Sequence, residues 1–342
     1  MIPRTLLAGT ALAATLTVTL ATGAQAQEVT LRLAHWVPPT HPIQTLGIEP
    51  WVQSLTEASD GRIAVQIFPA QQLGAAPDHY DMTRDGITDI GYVNPGYQAG
   101  RFPIYSLVEI PFHMDNAVRG ARAMHEWYAP IAETEMADVM FCLANPHDPG
   151  TIHSREPILE PADINGLNVR PAHATMARFI SSLGGGPVQV PAPEAREAIA
   201  NGTADAITFP WNSIFIFGID PETPHHLDMP FYISAQLLLI NWDSYNAMPD
   251  DLRQILDDHC TPEWSERFSV GWAENEASGR DLAINDPAHT LHVPTEEQVQ
   301  MWRDAAAPLV DQWMADAEAA GVDAQATYDA YVELLDAYDA RF

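Results

Sequence analysis

Asp85-Gly86-Ile87-Thr88-Asp89-Ile90-Gly91-Tyr92 and Asn201-Gly202-Thr203-Ala204-Asp205-Ala206-Ile207-Thr208-Phe209 are two versions of one phrase. Each is a glycine-ended turn running into an apolar strand. Each follows a helical stretch and an earlier extended run, Ile67-Phe68-Pro69-Ala70-Gln71 in the first copy and Val188-Gln189-Val190-Pro191-Ala192 in the second. Strand, helix, turn and buried strand make a βαβ unit, with a right-handed crossover as the default. Two such units about 120 residues apart predict two α/β lobes of similar build, each a sheet flanked by helices. Their cleft lies at the carboxyl ends of the strands, which is where a ligand is expected.

Working outward, Val29 to Ala34 alternates as a first strand, Ile43 to Ala58 has helical spacing, and Arg62 to Phe68 reads as a second strand. A helix is predicted from about Ala117 to Met136 and an apolar strand over Val139 to Ala144. The polar run Asn145-Pro146-His147-Asp148-Pro149-Gly150 reads as a crossing between lobes. Leu167 to Arg170, Val188 to Val190 and Ala206 to Phe209 supply strands of the second lobe, with helices at Thr175 to Leu183 and Pro193 to Asn201. His226 to Asn241 carries strands that return the chain, with a second hinge expected near Gln236 to Asn241. A helix from Pro249 to Ile284 is long enough to lie across both lobes, and Thr295 to Ala320 and Ala324 to Ala340 pack outside. The division that follows is lobe I from 27–147 plus about 236–275, and lobe II from 148–235 plus about 276–342. Crossing the cleft more than once is the anatomy of a hinged binding protein.

Met1 to Ala26 has Arg4, an apolar stretch from about Leu6 to Ala21 and a small-x-small ending at Ala24-Gln25-Ala26, the pattern of a cleavable signal peptide. Export to the periplasm is expected, with no cysteine at the cleavage site to carry a lipid. Cys142 and Cys260 are the only cysteines. An exported setting permits them to pair, but their separation in the chain favours two buried thiols. The formal charge of -30, from 16 Lys+Arg against 46 Asp+Glu, excludes attraction to nucleic acid or an anionic membrane.

The ordered set Leu33-Ala34-His35, Phe68-Pro69-Ala70-Gln71-Gln72-Leu73-Gly74, Asp85 to Gly91, Ile110-Pro111-Phe112, Ile164-Asn165-Gly166-Leu167-Asn168-Val169-Arg170-Pro171 and Asn201 to Ala206 resembles the periplasmic solute-binding proteins of tripartite ATP-independent periplasmic (TRAP) transporters. The resemblance spans essentially the whole mature chain. It implies a monomeric two-lobed protein that closes on a small organic carboxylate and delivers it to membrane permease subunits, with no chemistry on the ligand, no cofactor and no metal. Arg170 matches the family's carboxylate-binding arginine, whose planar guanidinium presents two parallel N–H donors to two oxygens. The plain alternative is an arginine paired with one of the chain's many acids.

The departures from the family pattern are aromatic. Phe209 stands where many members have an asparagine, followed by Pro210, Trp211 and Asn212, and the first copy delivers Tyr92, Asn94 and Tyr97 at its strand end. His35 and Trp36 end the first strand on the same rim. Several ring faces around one arginine suit a methylated onium carboxylate held by cation–π attraction, such as a betaine, an ectoine-like solute or dimethylsulfoniopropionate. An aromatic acid or a C4-dicarboxylate is the alternative. Enzyme readings have less to stand on, because the sequence contains no HExxH, paired-cysteine or Gly-x-Ser-x-Gly motif. His225 and His226 are adjacent, so on a strand they point to opposite faces and cannot share an ion. An exported hydrolase and the receptor of an ATP-driven transporter are the competing classes.

Overall fold

A computed structural model describes residues 27–342; the expected signal peptide, 1–26, lies outside the described residues. The first sheet has the order β2-β1-β3-β10-β4, built from β1 (Val29–Ala34), β2 (Ile63–Phe68), β3 (Ile90–Val93), β4 (Val139–Pro146) and β10 (Ala235–Asn241). The second has the order β11-β9-β5-β8-β6-β7, from β5 (Thr151–Ser154), β6 (Asn168–Arg170), β7 (Gly186–Pro187), β8 (Ala206–Phe209), β9 (His225–Leu227) and β11 (Thr290–His292). In each sheet three parallel strands are followed by an antiparallel one: β10 runs against β3 and β4, and β5 against β8 and β9. Helices cover the sheets, and β10 and β8 are buried along their whole length, as near-continuous apolar strands require.

The repeated phrase has one structural job in both lobes. Asp89 accepts a hydrogen bond from the Arg32 backbone N–H at 2.7 Å and returns its own N–H to the Arg32 carbonyl at 3.0 Å. Asp205 does the same to Asn168, at 2.8 and 2.7 Å. The closing aspartate of each turn thus docks the third parallel strand on the first strand of its lobe. Leu33 then pairs with Ile90 and Ala34 with Gly91, while Val169 pairs with Ala206 and Arg170 with Ile207. Position for position, Ala34 of one lobe corresponds to Arg170 of the other.

The chain passes between the sheets three times; two of the passes, 147–150 and 228–234, hydrogen-bond to each other, and the third is the long helix that leads to β11. Gly150 N–H donates to the Tyr232 carbonyl at 2.8 Å, Phe231 N–H to the Gly150 carbonyl at 3.0 Å, and Ser234 N–H to His147 Nε2 at 2.8 Å. The second crossing lies ahead of the expected Gln236 to Asn241, because that apolar run is used as the central strand β10. The helix Pro262–Asn285 packs on β4 and on the helix Ala117–Glu135, then continues to β11 and the short helix Ser213–Ile216 beside the second sheet. At Gly279 a Cβ would lie 2.2 Å from the Asn212 nitrogen, so only glycine lets this helix approach the 211–212 backbone so closely.

The helix expected from Pro249 to Ile284 is broken into Asp250–Asp257 and Pro262–Asn285, and Thr295 to Ala320 into Glu296–Ala306 and Pro308–Ala319. Pro262 and Pro308 each sit at the start of the second piece, where a missing N–H costs nothing. Cys142 and Cys260 form a disulfide that ties β4 to the chain just before the long helix. This corrects the expectation of two thiols: 118 residues apart in sequence, the two positions are brought together by the packing of that helix on β4. Among the described residues no helix is long and apolar enough to cross a membrane.

Candidate functional site

Between the sheets, at the carboxyl ends of β1, β3, β6 and β8, lies a cavity of about 40 Å³. Trp36, His41, Asn94 and Tyr97 line it from the first sheet's side, and Arg170, Ala172, Ala192, Phe209, Pro210, Ser213 and Phe217 from the second's. The crossings and the long helix close it with His147, Tyr232, Ser234, Gln236 and Trp272. A larger hollow of about 430 Å³ opens on the outer seam between Gln98 to Glu109 and the helices Ala174–Ser182 and Pro308–Ala319. On its rim Arg178 pairs with Asp316 at 3.2 Å, and the buried Glu109 lies 3.2 Å from His173 Nδ1. The smaller cavity holds a single charge without a counter-ion.

That charge is Arg170. The side chain is 1% exposed, its Nε donates to the Val190 carbonyl at 3.0 Å, Nη1 reaches the Thr208 carbonyl at 3.5 Å, and Nη2 has no partner. No carboxylate pairs with it, and no Asp or Glu is in the cavity wall. The other titratable residues there are imidazoles and phenols. Burial pushes His147 down to about 3, and burial reinforced by the nearby His35 does the same to His41. A buried guanidinium with a free N–H and no counter-ion is costly unless an anion arrives. Its guanidinium carbon lies 5.4 Å from the centre of the Phe209 ring, so that aromatic face already serves a cation.

Five of the nine residues singled out from sequence line the cavity: Arg170, Trp36, Asn94, Tyr97 and Phe209. The other four lie elsewhere. Tyr92 is buried behind the wall, its hydroxyl donating to Asn145 Oδ1 at 2.5 Å and its ring stacked on Phe268. His35 is also behind the wall, bonded to Gln44 at 2.9 Å. Trp211 turns to the far side against His153 and His226, and Asn212 binds Ser278 and the Asn275 carbonyl of the long helix. The reason is the pleat: strand ends share a rim, but alternate side chains face opposite ways.

His41, His147, Tyr232 and Trp272 are lining residues that sequence reading missed. His147 and Tyr232 sit in crossings, whose lack of periodicity hides which way a side chain points. Trp272 lies in mid-helix, where an aromatic reads as core. Among the described residues no group of three or more His, Cys, Asp or Glu side chains is placed to hold a metal ion. The histidines of β9 do diverge: His226 bonds His153 and His289, and His225 bonds His292 at 3.0 Å.

Comparison with known proteins agrees with this geometry. The family model described as bacterial extracellular solute-binding protein, family 7, matches residues 33–316. A TRAP solute-binding protein from Rhodoferax ferrireducens, solved with copurified benzoate, superposes with a TM-score of 0.86 at 29% identity, over 91% of this chain and 98% of that one. A marine metagenome TRAP solute-binding protein described as specific for aromatic acid ligands, with 3-hydroxybenzoate bound, gives 0.85 at 27% identity, over 92% and 100%. The protein TsaT of Comamonas testosteroni, named an outer membrane transporter protein, is 21% identical over 93% of this chain and 95% of its own length.

Proposed function

The chain belongs to the bacterial extracellular solute-binding proteins of family 7, and on that premise we propose that it binds a ring-bearing monocarboxylate in the cavity around Arg170 and presents it to a TRAP permease. The observation that carries this reading is the buried, unpaired Arg170 in an otherwise uncharged aromatic wall. One carboxylate balances one guanidinium, and a neutral ring fills the rest at no electrostatic cost.

This moves the ligand away from the methylated onium carboxylate expected from the sequence. A zwitterion's carboxylate would neutralise Arg170 but leave its cation buried without a counter-ion, while the Phe209 face is already taken by the guanidinium. Tyr92 and Trp211, two faces of the supposed onium box, are not in the wall. A dicarboxylate fails in the opposite sense, bringing a second negative charge with no cation to meet it. The benzoate and aromatic-acid complexes of the similar proteins favour the same choice.

The protein acts as a monomer in the periplasm, closing about crossings 147–150 and 228–234, and delivers its ligand chemically unchanged. Thermal-shift and calorimetric comparison of benzoate and phenylacetate with glycine betaine, dimethylsulfoniopropionate, ectoine and succinate tests the assignment. An aromatic acid at 100 times its dissociation constant should stabilise the protein by about 2.7 kcal/mol. Tighter binding of any onium solute or of succinate than of every aromatic acid would overturn it.

A further inference from the structure

The cavity wall has a second unmet polar demand besides Arg170. Trp36 is 5% exposed and its indole N–H finds no acceptor; Tyr232 is 1% exposed and its hydroxyl finds no partner. The neighbouring polar side chains have satisfied one another. Asn94 accepts from Gly96 N–H and donates to Ser234, His147 bonds the Asp148 carbonyl and Ser234 N–H, and Ser213 donates to Glu276. Buried N–H and O–H groups are rarely left without partners in native proteins, so those that remain in a ligand cavity describe what the ligand must offer.

The three unmet groups fall at two ends. Arg170 belongs to β6 of the second sheet, and Tyr232 lines the same cavity; burial pushes the Tyr232 hydroxyl well above its usual pKa while the Arg170 charge and the Thr208 hydroxyl pull the other way. Gly150 makes room for this phenol, since a Cβ there would lie 2.9 Å from the Tyr232 hydroxyl. Trp36 follows β1 of the first sheet and packs against Tyr97, with ring centres 5.9 Å apart. One end of the cavity therefore offers a cation and a phenol to a carboxylate, and the opposing wall offers a lone N–H donor.

We infer that the ligand carries a second hydrogen-bond acceptor remote from its carboxylate, a ring hydroxyl or carbonyl, and that Trp36 Nε1 reads it. The inference rests on the aromatic-acid reading above and narrows it to oxygenated acids. Trp36 becomes a specificity residue acting by its N–H rather than by its ring face. Because the two ends of such a ligand are gripped from opposite sheets, an acid with both groups also ties the lobes together, whereas one with the carboxylate alone is gripped from one side. Only an acceptor satisfies the indole: an acid lacking it leaves the buried N–H unmet, which is the strong form of discrimination available to a polar site.

The test is calorimetry of benzoate against 3-hydroxybenzoate and 4-hydroxybenzoate on the unaltered protein, on Trp36→Phe and on Tyr232→Phe. At least one hydroxylated acid should bind the unaltered protein 10-fold or more tighter than benzoate. Trp36→Phe keeps a ring but removes the N–H; it should bring the ratio of hydroxylated acid to benzoate to within about 2-fold, whatever it does to benzoate itself. Tyr232→Phe should weaken all three acids alike, because it acts at the shared carboxylate. Equal affinities for benzoate and both hydroxybenzoates on the unaltered protein overturn the inference, as does a preference that Trp36→Phe leaves untouched. Binding of none of the three, with an onium solute or succinate bound instead, is the separate failure of the aromatic-acid reading.

Discussion

The strands β1 and β6 occupy the same place in two sheets of matching topology, yet one delivers Ala34 and the other Arg170 to the same relative position. Around them the turns are interchangeable: Asp89 and Asp205 make the same pair of backbone bonds to Arg32 and Asn168. The charged residue of β1, Arg32, stands two positions earlier, on the outer side, where Asp89 neutralises it at 2.9 Å. The charged residue of β6 is turned into the cleft and left unpaired. Duplicate architecture thus secures the frame, and the duplication is broken at the one position that leaves a buried, unpaired cation. The first lobe supplies uncharged donors and rings, the second the only cation of the wall.

Replacing Arg170 should produce the largest effect. Arg170→Ala is expected to lower affinity for the carboxylate ligand at least 100-fold, about 3–5 kcal/mol, and Arg170→Lys to recover only part of it because the planar fork is lost. Arg32→Ala, at the other lobe's charged position, should leave affinity within about 2-fold. Calorimetry showing similar losses for both arginines would erase the asymmetry between the lobes.

The disulfide is a second asymmetry, since Cys142 and Cys260 staple the first sheet to the long helix and the second sheet has no counterpart among the described residues. Cys142→Ala with Cys260→Ala should destabilise the protein by about 2–4 kcal/mol, the usual range for a disulfide and somewhat below the ~4.7 kcal/mol that chain entropy alone assigns to a loop of about 100 residues. Denaturant unfolding should show that loss with ligand affinity nearly unchanged. A loss of affinity as large as the loss of stability would mean that the staple also positions the cleft.

Acid should weaken both lobes together. Burial holds His35 and His125 near about 4 and His41, His147 and His153 near about 3, well below the usual imidazole value. The unfolded chain therefore binds more protons than the folded one below about pH 6.5, and stability falls as pH drops through that value toward 4. Burial raises Glu135, Glu276 and Asp148, which opposes the trend only nearer the carboxylate range. The melting temperature should drop by several degrees between pH 7 and pH 5; a flat profile would show that these imidazoles are not held neutral in the folded protein.

The smallest effect probes the shared frame. Asp89→Asn and Asp205→Asn should each cost about 1–2 kcal/mol, Asp89 the more because it also holds the Arg32 guanidinium and the Ser244 hydroxyl. If chemical denaturation showed one turn to be indifferent to the change, the two phrases would be alike in sequence but not in mechanical role.

From sequence alone the duplicated βαβ unit, a crossing that the structure narrows from 145–150 to 147–150, and Arg170 at a strand end facing the cleft were all legible, because each is written in local terms: period, turn chemistry and one motif. The cleft's position followed from where parallel strands end. Helix breaks at Pro262 and Pro308 were legible in principle but were overridden by the length of the apolar pattern. What the tertiary structure decided was which neighbours on a shared rim face inward. Tyr92 and Phe209 both end buried strands, yet Tyr92 finds Asn145 behind the wall while Phe209 faces the cavity beside Arg170. The Cys142–Cys260 bond and the contributions of His147, Tyr232 and Trp272 likewise depended on how a helix and two irregular crossings pack across both sheets. A sequence records propensities along one dimension, whereas an unpaired N–H in a ligand cavity exists only once every other partner in space has been assigned.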